Sequence, residues 1–166
     1  MMRLFIAFVI ALFVILLDQA SKAWVLYDLM NPPTVIPIMP FLDIVLAWNK
    51  GVGFGLFQAH TLWGKMALIT MALGISTVLG VWLWRTTDKL LLISLSMIIG
   101  GALGNIIDRL HYGAVVDFIY VHVYILGYHF PAFNVADSAI TVGVSLLLLE
   151  SYMRKKSEPA YPSRPN

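Results

Sequence analysis

Two aspartates in strongly apolar settings frame the chemistry this sequence can support. Asp117 lies in VVDFIY and Asp137 in FNVADS, and neither has a lysine or arginine at the i±3 or i±4 spacing that would neutralise it along a helix. Their charge must be handled by groups distant in sequence. If the chain brings the two together in a low dielectric, they cannot both ionise easily and come to share one proton. Such a pair is equipped to hydrolyse an amide. The ionised member draws a proton from water as the water attacks the carbonyl carbon, while the protonated member hydrogen-bonds the carbonyl oxygen. This is aspartic-protease chemistry.

Three polar stripes surround these positions. Asp18, Ser21 and Lys22 are spaced i, i+3, i+4, as are Asn105, Asp108 and Arg109, and Asn134, Asp137 and Ser138 repeat the pattern. Each triplet therefore occupies one face of a helix. An ionised side chain deep in a bilayer costs roughly 2.5 to 3.5 kcal/mol on insertion scales, so these residues need partners or a wet cavity and should converge on one site. Each stripe also has a plainer reading. Asp18 with Lys22 is a well-spaced structural ion pair. Asp108 and Arg109 can anchor a helix at the lipid headgroups, or Arg109 can grip a lipid phosphate with its fork. Asn105 and Asn134 can satisfy backbone groups or each other.

The elements that must position these residues are membrane helices. The chain of 166 residues is 60% hydrophobic and only 12% charged, and its mean hydropathy is +0.83. Four segments have the length and composition to span a bilayer: Leu4 to Leu26, Leu62 to Trp84, Leu90 to Ile107 and Phe133 to Tyr152. The first reads as an uncleaved helix, because no small-x-small cleavage site follows it and AWVLY continues it beyond Asp18. Between the first two spans, Pro32, Pro33, Pro37 and Pro40 precede FLDIVLAW, which predicts a small extramembrane β-sheet. Between the last two, VVDFIYVHVYILGYHF is too short and too aromatic for a span, and predicts an interfacial helix folding over the helix ends. Trp24, Trp63, Trp82 and Trp84 suit membrane-interface anchors.

Arg3, Arg85, Lys89, Arg154, Lys155 and Lys156 fall at one end of this arrangement, which makes both termini cytoplasmic and the sheet extracytoplasmic. Residues 1–153 form one integral membrane domain, and 154–166 a disordered tail.

Other chemistries lack support. There is no cysteine, hence no disulfide, thiolate nucleophile or cysteine metal site. No HExxH occurs, and His60, His111, His122 and His129 lack helical ligand spacing. Asp108, Asp117 and Asp137 offer too few oxygens for Mg²⁺ or Ca²⁺. No metal or other cofactor is expected. A serine mechanism lacks a GxSxG elbow, and Ser94 and Ser96 suit helix packing. The basic residues form no patch interleaved with aromatics, which argues against nucleic acid as a partner. The rival reading is a small proton-coupled transporter or channel using intramembrane acids. It predicts repeated halves or broken spans, and neither is visible.

Five blocks, in order, carry a resemblance. DQASK from Asp18, NKGVGF from Asn49, GNIIDR from Gly104, VVDF from Val115 and FNVADS from Phe133 resemble the lipoprotein signal peptidases, or signal peptidase II, across nearly the whole chain. The resemblance implies a bacterial inner-membrane aspartic endopeptidase. Such an enzyme cuts the signal peptide from a prolipoprotein just before a cysteine carrying diacylglycerol, with its active site toward the periplasm. It implies Asp117 and Asp137 as the catalytic dyad. Asp18, Lys22, Asn49, Gly51, Asn105, Asp108, Arg109, Asn134, Ala136 and Ser138 would form the surrounding shell that binds substrate or supports the dyad. The implied partners are the diacylglyceryl-modified precursor and membrane lipid, and the protein is expected to be a monomer. Val52, Gly53 and Gly55 stand where the family pattern leads one to expect small alanines.

Overall fold

The computed structural model describes residues 1–51, 61–123 and 127–157. Four helices dominate it: α1 (Met2–Trp24), α2 (Leu62–Arg85), α3 (Lys89–His111) and α4 (Val135–Ser157). All four are long and apolar enough to cross a membrane, matching the spans expected from sequence to within a few residues. α1 runs on into a π-helical turn, Val25–Leu29. The remaining strands are β1 (Ile36–Met39), β2 (Leu42–Asn49), β3 (Val115–Val123) and the two-residue β4 (Tyr128–His129).

Local chemistry sets the helix starts. Thr61 accepts the Gly64 N–H at the head of α2, and Asp88 accepts the Leu91 N–H at the head of α3. Ser94 and Ser96 return their hydroxyls to the carbonyls of Leu90 and Leu92, which suits serines packed inside a membrane bundle. Arg3 reaches the carbonyls of Trp84 and Thr86, so the amino terminus and the α2–α3 turn lie at the same end.

α3 is the central helix, with α1, α2 and α4 packed around it. Glycines permit the close approach. A Cβ at Gly100 would lie 2.8 Å from the Ala11 carbonyl oxygen, and one at Gly101 would lie 2.5 Å from that of Ala136. Gly101→Val should therefore push α4 off α3 and lower stability by roughly 1–3 kcal/mol, whereas Gly80→Ala, which meets open space, should not lower it. Thermal unfolding in detergent distinguishes the two, and equal midpoints would contradict this packing.

The sheet is antiparallel in the order β1-β2-β3-β4. It corrects one expectation. The segment after α3 was expected as an interfacial helix, but Val115–Val123 is a strand paired with β2, with Ala47 opposite Asp117 and Asn49 opposite Val115. VVDFIYVHV is rich in β-branched and aromatic residues, and its first half is buried on both faces, so it reads as uniformly apolar instead of alternating. The sheet thus draws strands from both extramembrane connections. Val25, Met30 and Phe118 form a small core that seats β3 on the end of α1.

α4 continues through Ser157, so the first residues of the expected tail are helical. Val52, Gly53, Gly55 and His60 lie outside the described residues.

Candidate active site

Two local features bring the acidic residues together. Phe133 forms a bridge with Ile119 of β3: its N–H donates to the Ile119 carbonyl at 3.0 Å and its own carbonyl accepts the Ile119 N–H at 2.8 Å. This docks the segment before α4 alongside β3. α4 then opens with a reciprocal capping box. The Asn134 side-chain oxygen accepts the Asp137 N–H at 2.9 Å, and Asp137 Oδ2 accepts the Asn134 N–H at 3.3 Å. Asp137 is held at the third helical position, facing the strand that carries Asp117.

Two amides connect the carboxylates. Asn134 Nδ2 donates to Asp117 Oδ1 at 2.7 Å and to Asn105 Oδ1 at 3.2 Å, and Asn105 Nδ2 donates to Asp137 Oδ1 at 2.8 Å. The side chain of Asn134 also reaches the Val116 carbonyl at 3.2 Å and is completely buried. Asn49 lies two residues beyond Ala47, on the face that carries Asp117, and its side chain favours the ionised form of that carboxylate. Burial, and then the charge of Asp137, push the Asp117 carboxyl up to about 7.

A second layer lies between α1 and α3. Lys22 Nζ stands 2.7 Å from Asp18 Oδ2, 2.7 Å from Asp108 Oδ2 and 3.1 Å from Asn105 Oδ1. All three charged residues are at most 2% exposed. Asp18 Oδ1 accepts the Ala136 N–H at 2.9 Å, and Asp108 Oδ2 accepts the Val116 N–H at 3.0 Å.

The Asp18–Lys22 pair expected from spacing is present. Asp108 is buried, and its compensating charge sits on another helix. Arg109 turns its fork to backbone carbonyls. Its Nη2 donates to the Gly51 carbonyl at 2.8 Å and its Nη1 to that of Asn105 at 3.3 Å. Gly51 is fixed from its other side by Asn49, which accepts its N–H at 3.0 Å. Ser138 returns its hydroxyl to the Asn134 carbonyl at 2.9 Å and contributes to the cavity wall, not to the carboxylates.

Gln19 was not singled out in the sequence. Its Nε2 donates to Asp108 Oδ1 at 2.8 Å and to Asp18 Oδ2 at 3.2 Å, a second bridge between the carboxylates that Lys22 joins. The available signal was an uncharged polar residue in a membrane span, adjacent to an acid.

Beside Asp137 lies a largely apolar cavity of about 480 Å³, with walls that include Asn49, Phe130, Phe133, Ser138 and Thr141. Its α4 wall continues onto exposed Thr141 and Val142, so it opens on the lipid-facing side of that helix. Among the described residues no cluster of three histidine or acidic side chains could hold a metal ion. The arrangement is thus two carboxylates linked through amide donors, with Asp137 in the wall of an apolar recess.

Residues 10–153 match the family model of signal peptidase (SPase) II. A lipoprotein signal peptidase of Rhodopseudomonas palustris (strain TIE-1) is 45% identical over 144 residues, which cover 85% of this chain and 88% of the relative. One from Nitrobacter hamburgensis is 41% identical over 155 residues, covering 92% and 94%. A solved bacterial membrane enzyme superposes with a TM-score of 0.79 at 28% identity, covering 95% of this chain and 94% of that one.

Proposed function

This chain belongs to the signal peptidase II family, multi-pass membrane peptidases that remove signal peptides from prolipoproteins, and we propose that it does so as an aspartic endopeptidase with Asp117 and Asp137 as its dyad. The observation that carries this reading is the amide chain from Asp117 through Asn134 and Asn105 to Asp137. It places two carboxylates of separate elements in one buried network.

The roles divide by environment. Asp137 accepts N–H donors at both oxygens, which suits the acceptor-only chemistry of a carboxylate, so it takes the proton of the attacking water. Asp117, more strongly buried in the sheet and raised to about 7, keeps its proton and donates to the carbonyl oxygen. As the bond to nitrogen breaks, Asp137 returns its proton to the leaving amine.

The substrate in this reading is a diacylglyceryl-modified precursor cut just before its lipidated cysteine. It arrives laterally, and the lipid-facing mouth of the cavity admits it without passage through water. Depth in the bilayer then supplies part of the positioning that a soluble protease obtains from a groove. The basic residues at the opposite end from the site, Arg3, Arg85 and Arg154 among them, support an inner-membrane topology with cytoplasmic termini. A transporter reading finds no favouring observation, since the polar network is gathered at one end of the bundle.

The test is turnover of matched diacylated and non-acylated synthetic precursors by purified protein across pH. Only the diacylated precursor should be cut efficiently. Its kcat/KM should trace a bell, because one carboxylate must be charged and the other protonated, with the alkaline limb near pH 7 where Asp117 loses its proton. A profile flat from mildly acid to mildly alkaline pH, with chemistry rate-limiting, would contradict the assignment.

A further inference from the structure

Lys22 touches neither member of the dyad, yet the strand and the helix that carry them are both tied to it. Its three ammonium protons match three acceptors: Asp18 Oδ2, Asp108 Oδ2 and Asn105 Oδ1. Asp18 holds the backbone N–H of Ala136, and Asp108 holds that of Val116. These are the residues immediately before Asp137 and Asp117. The two clamps grip the chain one position ahead of each carboxylate, and a single ammonium joins the clamps.

Asn105 supplies a third link. A lysine has donors only, so it obliges Asn105 to turn its carbonyl oxygen inward, and the Asn134 amide donates to the same oxygen. The Asn105 NH₂ group is thereby fixed toward Asp137. Without Lys22 the amide could rotate and present an acceptor to an acceptor.

Energetics favour a geometric role over a merely cohesive one. Replacing buried ionic groups by apolar side chains of similar size is often neutral or stabilising, so stability alone gives little reason to bury an ammonium with two carboxylates. Resting on the aspartic reading above, we propose that Lys22 is a positioning residue that sets the separation and mutual orientation of Asp117 and Asp137, acting through Asp18, Asp108 and Asn105. The charged groups of this network are Asp18 and Lys22 from α1, Asp108 and Arg109 from α3, Asp117 from β3 and Asp137 from α4.

Two variants of the full chain, assayed with diacylated precursor in lipid-containing micelles, test this role. Lys22→Met should lower kcat about 100-fold with KM changed less than twofold, since small misplacements of reacting groups carry penalties of that order. It should also move the alkaline limb of the pH profile upward, because the ammonium favours the ionised form of Asp117. A purely structural lysine would reduce the folded fraction and leave kcat per folded enzyme unchanged. Lys22→Met leaves two buried carboxylates unpaired, so the companion variant is Asp18→Asn, Lys22→Met and Asp108→Asn combined. It carries no unpaired buried charge in this layer, and its amide oxygens still accept the Ala136 and Val116 N–H groups. The triple variant should fold and show the same loss in kcat. If it retains kcat within twofold of the parent while Asp117→Asn is inactive in the same assay, the positioning role is overturned and the dyad stands. If Asp117→Asn is itself active, the dyad reading falls and this inference falls with it.

Discussion

Asp137→Asn is expected to abolish precursor cleavage, and Asp117→Asn to do the same, each by about 10⁴-fold in kcat, in proteins that remain folded. The substitutions remove an exchangeable proton site while preserving most of the hydrogen bonding. Asn at 137 keeps an oxygen for the capping box, whose N-terminal partner Asn134 is unchanged. Asn at 117 keeps an oxygen for the Asn134 amide. Neither variant leaves an orphaned buried charge, so neither has a reason to unfold. Gel-based cleavage of a diacylated precursor, with thermal unfolding run in parallel, reads both quantities. Substantial turnover by either folded variant would mean that the two carboxylates do not act as a pair.

Asn134→Asp should be nearly as damaging although it changes a single atom. The amide nitrogen of Asn134 faces three oxygens: Asp117 Oδ1, Asn105 Oδ1 and the Val116 carbonyl. An oxygen in its place would confront all three with no proton to share unless the new side chain captured the one that belongs to the dyad. The expected loss is about 10³-fold in kcat, on the scale of deleting a preorganised donor from an active site. A stability cost of about 1–3 kcal/mol should accompany it, from buried acceptors left unsatisfied. The cap itself survives, because aspartate serves as well as asparagine at that position, so the helix still starts where it should. Wild-type kcat in Asn134→Asp would show that the amide chain between the carboxylates is incidental.

Much of this arrangement is legible in the sequence because membrane burial penalises every polar side chain that lacks a purpose. The i, i+3, i+4 stripes at Asp18, Asn105 and Asn134 could be read directly, and the isolation of Asp117 and Asp137 from basic neighbours marked them as carboxylates needing remote partners. Partners brought in by the fold were not legible. Asp108 looked like a headgroup anchor because its counter-charge, Lys22, lies on another helix. Gln19 carries no charge and so raised no question of neutralisation, yet it doubles the bridge that Lys22 makes. The segment around Asp117 was read as an interfacial helix because a strand buried on both faces loses the alternation that identifies strands. Only its pairing with β2, distant along the chain, resolves the ambiguity.

That pairing gives the sheet its functional meaning. β3 carries Asp117, β2 ends at Asn49 beside it, and the bridge from Ile119 to Phe133 delivers the start of α4 with Asp137. The candidate site is therefore assembled where a small sheet meets the ends of the helices.

Infrared difference spectroscopy of the purified protein across a pH titration, wild type against Asp117→Asn, tests the shared proton most directly. At mildly acid pH the wild type should show the carbonyl stretch of one protonated carboxyl that Asp117→Asn lacks, and that band should fade as the pH rises through about 7. If the two spectra coincide and Asp117 is already ionised at mildly acid pH, it does not hold the proton that this mechanism requires.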